Sequence, residues 1–232
     1  MSSLSIEQFK NSPLFATLQP AALEALVSAG RVENLPRHDV LFEAGDHAER
    51  IMLVISGAVK LTFMLVNGRE VIVDLVGPGD LVGDDAVCED RRDTGASVLR
   101  EATFVSLPAA AVKSALSQNT DFAVAWIGRS IKKRRRLQAR IPELAYGNIE
   151  DRLLRMLKQI GTLHGSTNED GEVELRFPLT HQELSELIGA TRETTTLAMG
   201  RLRATGQIKF VERRIVLKGA TAHGAHSKRK AG

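Results

Sequence analysis

The period of the apolar residues changes along the chain, and each change predicts an element. Over residues 6–30 they fall at helical spacing (Phe9, Leu14, Phe15, Leu18, Leu23, Leu26, Val27). Pro13 and Pro20 interrupt this stretch and Gly30 stops it. From Arg31 to about Leu107, short apolar runs alternate with Gly, Asp, Asn and Pro, the mark of an all-β unit. The runs 51–55 and 59–65 are too apolar for a strand with one wet face, so they belong in a closed barrel or sandwich. Asn67-Gly68 is the favoured type I′ hairpin turn and joins 62–65 to 70–75. Gly45-Asp46 and Gly77-Pro78-Gly79-Asp80 mark further turns. Helical spacing returns at 108–118 and at 121–141, where Val124, Ile127, Ile131, Leu137 and Ile141 form a partial stripe. Pro142 ends or kinks that helix, and a hinge is expected at 142–148. Residues 149–160 are amphipathic through Leu153, Leu154, Met156, Leu157 and Ile160. Residues 164–172 read as a polar loop, 172–178 as a short strand, and 207–211 with 214–217 as a closing hairpin. The tail, 219–232, is small, polar and basic without apolar period, and is expected to be disordered.

The stretch 180–202 is the most specific. Thr180 with Glu183 spells a capping box, so a helix starts there. Leu184, Leu187 and Ile188 give it one apolar face, and Gly189 provides its left-handed exit. Thr191 caps a second helix at once, which makes a helix-turn-helix. At about 100° per residue, Thr195, Ala198, Met199 and Leu202 share a core face of that helix. Arg192, Glu193, Thr196 and Gly200 share the other, with Leu197 at its edge. Arginine matches the two acceptors of guanine and glutamate accepts from the cytosine amino group, so this face suits base edges. The plainer alternative, a helical hairpin with surface Arg and Glu, does not explain why cap, turn and both faces agree.

Composition narrows the class. A chain of 232 residues allows two domains, and a net charge of +3 hides basic runs at 129–140 and 228–230 that fit a polyanion. Cys88 stands alone, which excludes an internal disulfide and fits a reducing cytoplasm. It reads as a small apolar filler, with a redox switch as the rarer alternative. No signal pattern or membrane-length apolar run is present, and the six histidines show no metal spacing. Nothing in the chain has the spacing of a catalytic constellation, so no enzyme and no metal site is expected.

The Gly189–Arg192–Glu193–Thr194 spacing resembles the recognition motif of the Crp/Fnr family of bacterial transcription regulators. "NSPLFATL" at 11–18 resembles the helix pair before that family's sensor barrel. "LFEAGD", "ISGAVKL", "NGRE" and "GPGDLVG" stand where its cyclic-nucleotide-binding jelly roll has turns. The resemblance implies an α+β chain: an N-terminal β jelly-roll barrel of cyclic-nucleotide-binding type (1–118), a dimerisation helix and hinge (119–146), and a C-terminal winged helix-turn-helix (147–218) before the tail. It implies a cytoplasmic homodimer that binds a palindrome in double-stranded DNA and acts on RNA polymerase, with no membrane partner. Arg192 and Glu193 should read bases, and Thr180, Thr191, Thr194, Arg201 and Arg203 should meet phosphates, with His181 beside them. Thr196 and Leu197 complete the expected surface. The family often has a second arginine where Leu197 stands. Leucine can only touch a thymine methyl, so the half-site should differ from TGTGA at that step. The rival class is a cyclic-nucleotide module whose winged helix docks a protein.

In the family's sensor cassette, Gly-Glu is followed about ten residues later by Arg-Ser or Arg-Thr. Here Gly83 is followed by Asp84 and Asp85, and Gly95-Ala96 stand where the arginine and serine belong. Arg91 and Arg92 lie just upstream, with Thr94 after them. The long helix shows no Thr-Ser pair near Arg140-Ile141 of the kind that contacts adenine. Three readings follow. The pocket (Gly83, Asp84, Asp85, Arg92, Thr94, Arg140) binds cAMP; it binds another anion, such as a cyclic dinucleotide, with help from the basic run 132–136; or it binds nothing and the barrel is a scaffold. The last two are favoured jointly over cAMP. For the run itself a solvated basic face is the simpler expectation.

Overall fold

The computed structural model describes residues 4–66, 68, 70–138 and 148–218. The chain divides into two compact units, Met1–Gly147 and Asn148–Gly232. Residues 139–141 of the expected long helix (Arg140 among them), all of the hinge expected at 142–148 except Asn148, Asn67 of the expected hairpin turn and the tail at 219–232 lie outside the described residues.

The first unit opens with two 3₁₀ segments, Ile6–Asn11 and Phe15–Thr17, then helix α1, Pro20–Ala29. The prolines explain the division. Pro13 lies between the 3₁₀ turns, and Pro20 takes the first helical position, where a missing N–H costs nothing. Strands β1 (Arg31–Leu35), β2 (Val40–Phe42), β3 (Arg50–Met64), β4 (Glu70–Val76), β5 (Leu81–Val82) and β6 (Gly95–Pro108) follow. They pair in the order β1–β6–β3–β4, with β2 on β6 and β5 on β3. The two apolar runs expected as separate strands are one strand, β3. Its ladder with β6 runs from Arg50↔Pro108 to Thr62↔Gly95 and shifts register between Val54 and Val59, around Gly57 (φ +86°).

The apolar character of residues 51–55 has a direct cause. Ile51 and Leu53 pack in one core with Phe9, Phe15, Leu26, Leu107 and Phe122. The alternating Met52 and Val54 pack in a second core inside the β unit with Phe42, Val98 and Phe104. Both faces of the strand are dry, so its sequence cannot alternate. Helix α2 (Ala109–Gln118) and helix α3 (Thr120–Gln138) close the first core. Phe122 and Trp126 of α3 continue an aromatic row from Phe15, with centroids 5.7 and 5.9 Å apart.

The second unit begins with α4 (Ile149–His164), whose cap Asn148 accepts from the Asp151 amide at 2.8 Å. It runs beyond the expected end at 160. The region read as a loop holds strand β7 (Gly165–Thr167), which pairs with β8 (Val173–Leu175) across a tight polar turn. Polar side chains hid β7 because Ser166 and Thr167 are exposed on an edge strand. Helices α5 (His181–Ile188) and α6 (Arg192–Ala204) and strands β9 (Ile208–Val211) and β10 (Arg214–Leu217) complete the unit, with sheet order β7–β8–β10–β9.

Candidate nucleic-acid interface and effector cassette

The helix-turn-helix is built by its caps. Thr180 Oγ1 accepts from the Glu183 amide at 3.1 Å, and Glu183 Oε2 accepts from the Thr180 amide at 2.7 Å. Gly189 has φ +64°, and Thr191 Oγ1 accepts from the Thr194 amide at 3.2 Å. Thr195, Ala198, Met199 and Leu202 are buried, and Thr195 satisfies its hydroxyl on the Thr191 carbonyl at 2.8 Å. Arg192, Glu193, Thr194, Thr196, Leu197, Arg201 and Arg203 are exposed, Leu197 at 64%.

Within this surface the residues differ in what they have left to offer. The Thr196 hydroxyl donates to the Arg192 carbonyl at 2.9 Å, and His181 Nδ1 lies 2.9 Å from Thr196 Oγ1. Arg201 is held by Glu150 at the start of α4. The Glu193 carboxyl is held below its usual range by its own backbone amide at the helix N-terminus and by the Thr191 hydroxyl. It is an acceptor throughout neutral pH.

The cassette residues Gly83, Asp84, Asp85 and Arg92 come together in the first unit. Gly83 (φ +73°) precedes a 3₁₀ turn, Asp84–Val87. A Cβ at Gly83 would stand 2.6 Å from Arg92 Nη1, so the tight approach requires glycine. Arg92 is only 4% exposed. Its Nη1 donates to the Gly83 carbonyl at 2.9 Å and to Asp85 Oδ1 at 2.6 Å, and its Nη2 donates to the Arg50 carbonyl. Its guanidinium carbon lies 4.2 Å over the Phe42 ring. Asp84 turns the other way, to α3: Arg129 Nη1 is 3.2 Å and Lys133 Nζ 3.0 Å from its carboxylate, and Arg129 Nη2 is 3.4 Å from Asp80. Thr94 is half-buried just before β6. The basic run is thus a solvated face only in part: Lys132, Arg134 and Arg135 are exposed, while Lys133 is paired. Cys88 is exposed at the end of the 3₁₀ turn rather than a buried filler, because the turn leads into the polar Glu89-Asp90. It lines a cavity of about 660 Å³ with Asp84, Asp85, Trp126 and Arg134. Among the described residues no group of His, Cys, Asp and Glu could hold a metal ion, and no helix is long and apolar enough to cross a membrane.

Comparison with known proteins agrees with both units. The cyclic nucleotide-binding domain family matches residues 32–119, and the Crp-like helix-turn-helix domain family matches residues 151–221. The regulatory protein CysR of Synechococcus elongatus is 31% identical over 173 residues, 74% of this chain and 77% of that protein. The chain belongs to the Crp/Fnr family. It is a transcription regulator of the Crp/Fnr type with the α+β fold of that family. A CRP-like cAMP-activated global transcriptional regulator of Mycobacterium tuberculosis is 25% identical over 205 residues, 88% of this chain and 91% of that one. The structure of the c-di-GMP-responsive global regulator CLP of Xanthomonas campestris shares the fold, with TM-score 0.71 at 22% identity over 87% of this chain and 100% of that one.

For a Crp/Fnr regulator, two features here were not apparent from sequence. The first is Arg213: the β9–β10 hairpin was expected, but its turn holds Glu212 (φ 47°) and Arg213 (φ 66°) in the left-handed region without glycine or asparagine, and Arg213 was not among the expected contacts. Arg213 is exposed at this tip, and a basic residue between two short strands was the available clue. The second is the pairing of Asp84 with Arg129 and Lys133, 45 and 49 positions away, for which a sequence carries no local signal.

Proposed function

We propose that this Crp/Fnr regulator acts as a homodimer that reads a palindromic operator in double-stranded DNA through the N-terminal face of α6. The observation that carries the reading is the division of α6, with Arg192, Glu193 and Leu197 exposed together above a buried Thr195–Ala198–Met199–Leu202 face. Arg192 and Glu193 take the base edges. Thr180, His181, Thr191, Thr194 and Arg203 take phosphates, Arg201 joins them by exchanging Glu150, and Arg213 adds a contact from the wing. Residues 1–118 form the sensor-like domain, 119–146 the dimerisation helix and hinge, 147–218 the reading head, and 219–232 a basic tail. Val124 and Ile127 are exposed on α3, which supports pairing of that helix with a second copy. RNA polymerase is the partner through which a bound regulator acts, the chain has no catalytic role, and it works in the cytoplasm.

The test is fluorescence anisotropy of the full-length protein on a palindromic duplex and on random duplex. Arg192→Ala should lower the specific affinity by about 1–3 kcal/mol and leave random binding nearly unchanged. An unchanged ratio of operator to random affinity removes Arg192 from the reading surface.

A further inference from the structure

The cyclic-nucleotide-binding architecture implies a ligand with one phosphate and a ribose. Such a ligand needs an arginine with donors to spare for the anion and a carboxylate free to accept from a sugar hydroxyl. The residues in this chain do not fit it. Arg92 spends Nη1 on Gly83 and Asp85 and Nη2 on the Arg50 carbonyl, in a site that solvent barely reaches. Three of its five N–H donors are thereby committed, and Nε is buried without a partner. A phosphate that took the committed donors would leave two backbone carbonyls and one carboxylate unpaired, which a buried site resists. Asp84, where the resemblance places the family's glutamate, already accepts from two cations of α3.

Nor does the downstream half of the cassette supply a substitute. Gly95 and Ala96, where the resemblance places arginine and serine, are the first residues of β6, and a Cβ at Gly95 would stand 2.9 Å from Thr62 Oγ1. A cavity of about 310 Å³ adjoins this point, but its charged lining residues are the carboxylates Glu43 and Glu70, the latter paired with Lys60 at 3.1 Å. Carboxylates repel a phosphate rather than bind it.

We propose that this cassette is closed by its own side chains, with Asp85 on Arg92 in place of a ligand's anion and Asp84 fastening the loop to α3, so that a cyclic mononucleotide is not its effector. The two adjacent carboxylates serve opposite sides of the loop. Asp85 fixes the loop to the β unit through Arg92. Asp84, with Asp80, fixes the same loop to Arg129 and Lys133 one helical turn apart on α3. The chain thus bridges strand and helix with its own side chains.

Two measurements on the full-length protein test this, and neither involves DNA, so their failure is separate from that of the operator reading. Isothermal titration with cAMP and with cGMP should give no saturable heat. Stoichiometric, saturable binding of either overturns the proposal. Hydrogen exchange of the α3 amides should rise several-fold in Asp84→Asn and in Lys133→Met, which keeps the apolar stem. Asp84→Glu, which keeps the carboxylate, should stay close to wild type. Unchanged exchange in both Asp84→Asn and Lys133→Met overturns the role of Asp84 as the fastening.

Discussion

Leu197 is the side chain on α6 whose chemistry departs furthest from a base-reading arginine. It is 64% exposed beside Arg192 and Glu193, and it has no donor. A leucine there is compatible with a thymine methyl and gives nothing to guanine. Leu197→Arg should therefore move the preferred base at that step toward guanine, by about 1–3 kcal/mol of discrimination. Selection of half-sites from a randomised duplex measures this, and an unchanged base preference would mean that α6 does not seat as proposed. Glu193 makes a separate prediction. Its own backbone amide and the Thr191 hydroxyl stabilise the ionised carboxyl, so its folded value lies below the ordinary 4.5. A depressed folded value contributes stability that is complete above the unfolded value and disappears as pH falls through the folded one. Urea unfolding of wild type and Glu193→Gln should differ at pH 7, and the gap should close below about pH 4.5. A gap that persists at pH 3 would assign the effect to packing instead.

Among the elements, those with local causes could be read from the chain. The capping box at Thr180, the exit at Gly189 and the cap at Thr191 stand where residue type alone predicts them, because each bond spans only three or four positions. The joint is correspondingly sensitive. At Gly189 (φ +64°) an added Cβ meets only Arg152 Nη2 at 3.6 Å, so the cost of Gly189→Ala is conformational rather than steric crowding. That cost should be about 1–2 kcal/mol, seen as a lower denaturation midpoint of the reading head with little change in the slope. A midpoint equal to wild type would show that the turn relaxes without loss. What could not be read depends on distant partners. Strand β3 was visible as two apolar runs, but their union across Gly57 is decided by the ladder to β6, some forty residues on. Strand β7 is paired with β8 and carries no apolar pattern of its own. The cassette shows both cases. Its residues were identifiable from spacing, while their partners were not: the arginine considered for a phosphate is committed to Asp85, and the basic run read as solvated supplies Lys133 to Asp84.

At the scale of the molecule, the proposed function requires two copies of α6 presented in fixed register, which one chain cannot supply. Exposed Val124 and Ile127 on α3 are apolar surface that a monomer would leave in water, and pairing of two α3 helices would cover them. A twofold dimer places its recognition helices about one helical turn of DNA apart, roughly 34 Å. Adding about five base pairs at the operator centre turns one half-site to the opposite face of the duplex. Affinity should then fall to that of a single half-site, while adding about ten pairs restores the facing but lengthens the span. Anisotropy titrations on the three duplexes distinguish these cases. If the five-pair insertion binds as well as the parent operator, each reading head acts independently and the dimer does not set the spacing. Because the cassette is proposed to be closed without a ligand, the spacing dependence should be the same with and without added cAMP. A dependence that appears only when cAMP is present would mean that the nucleotide, and not the Asp84 pairs, sets the arrangement of the dimer.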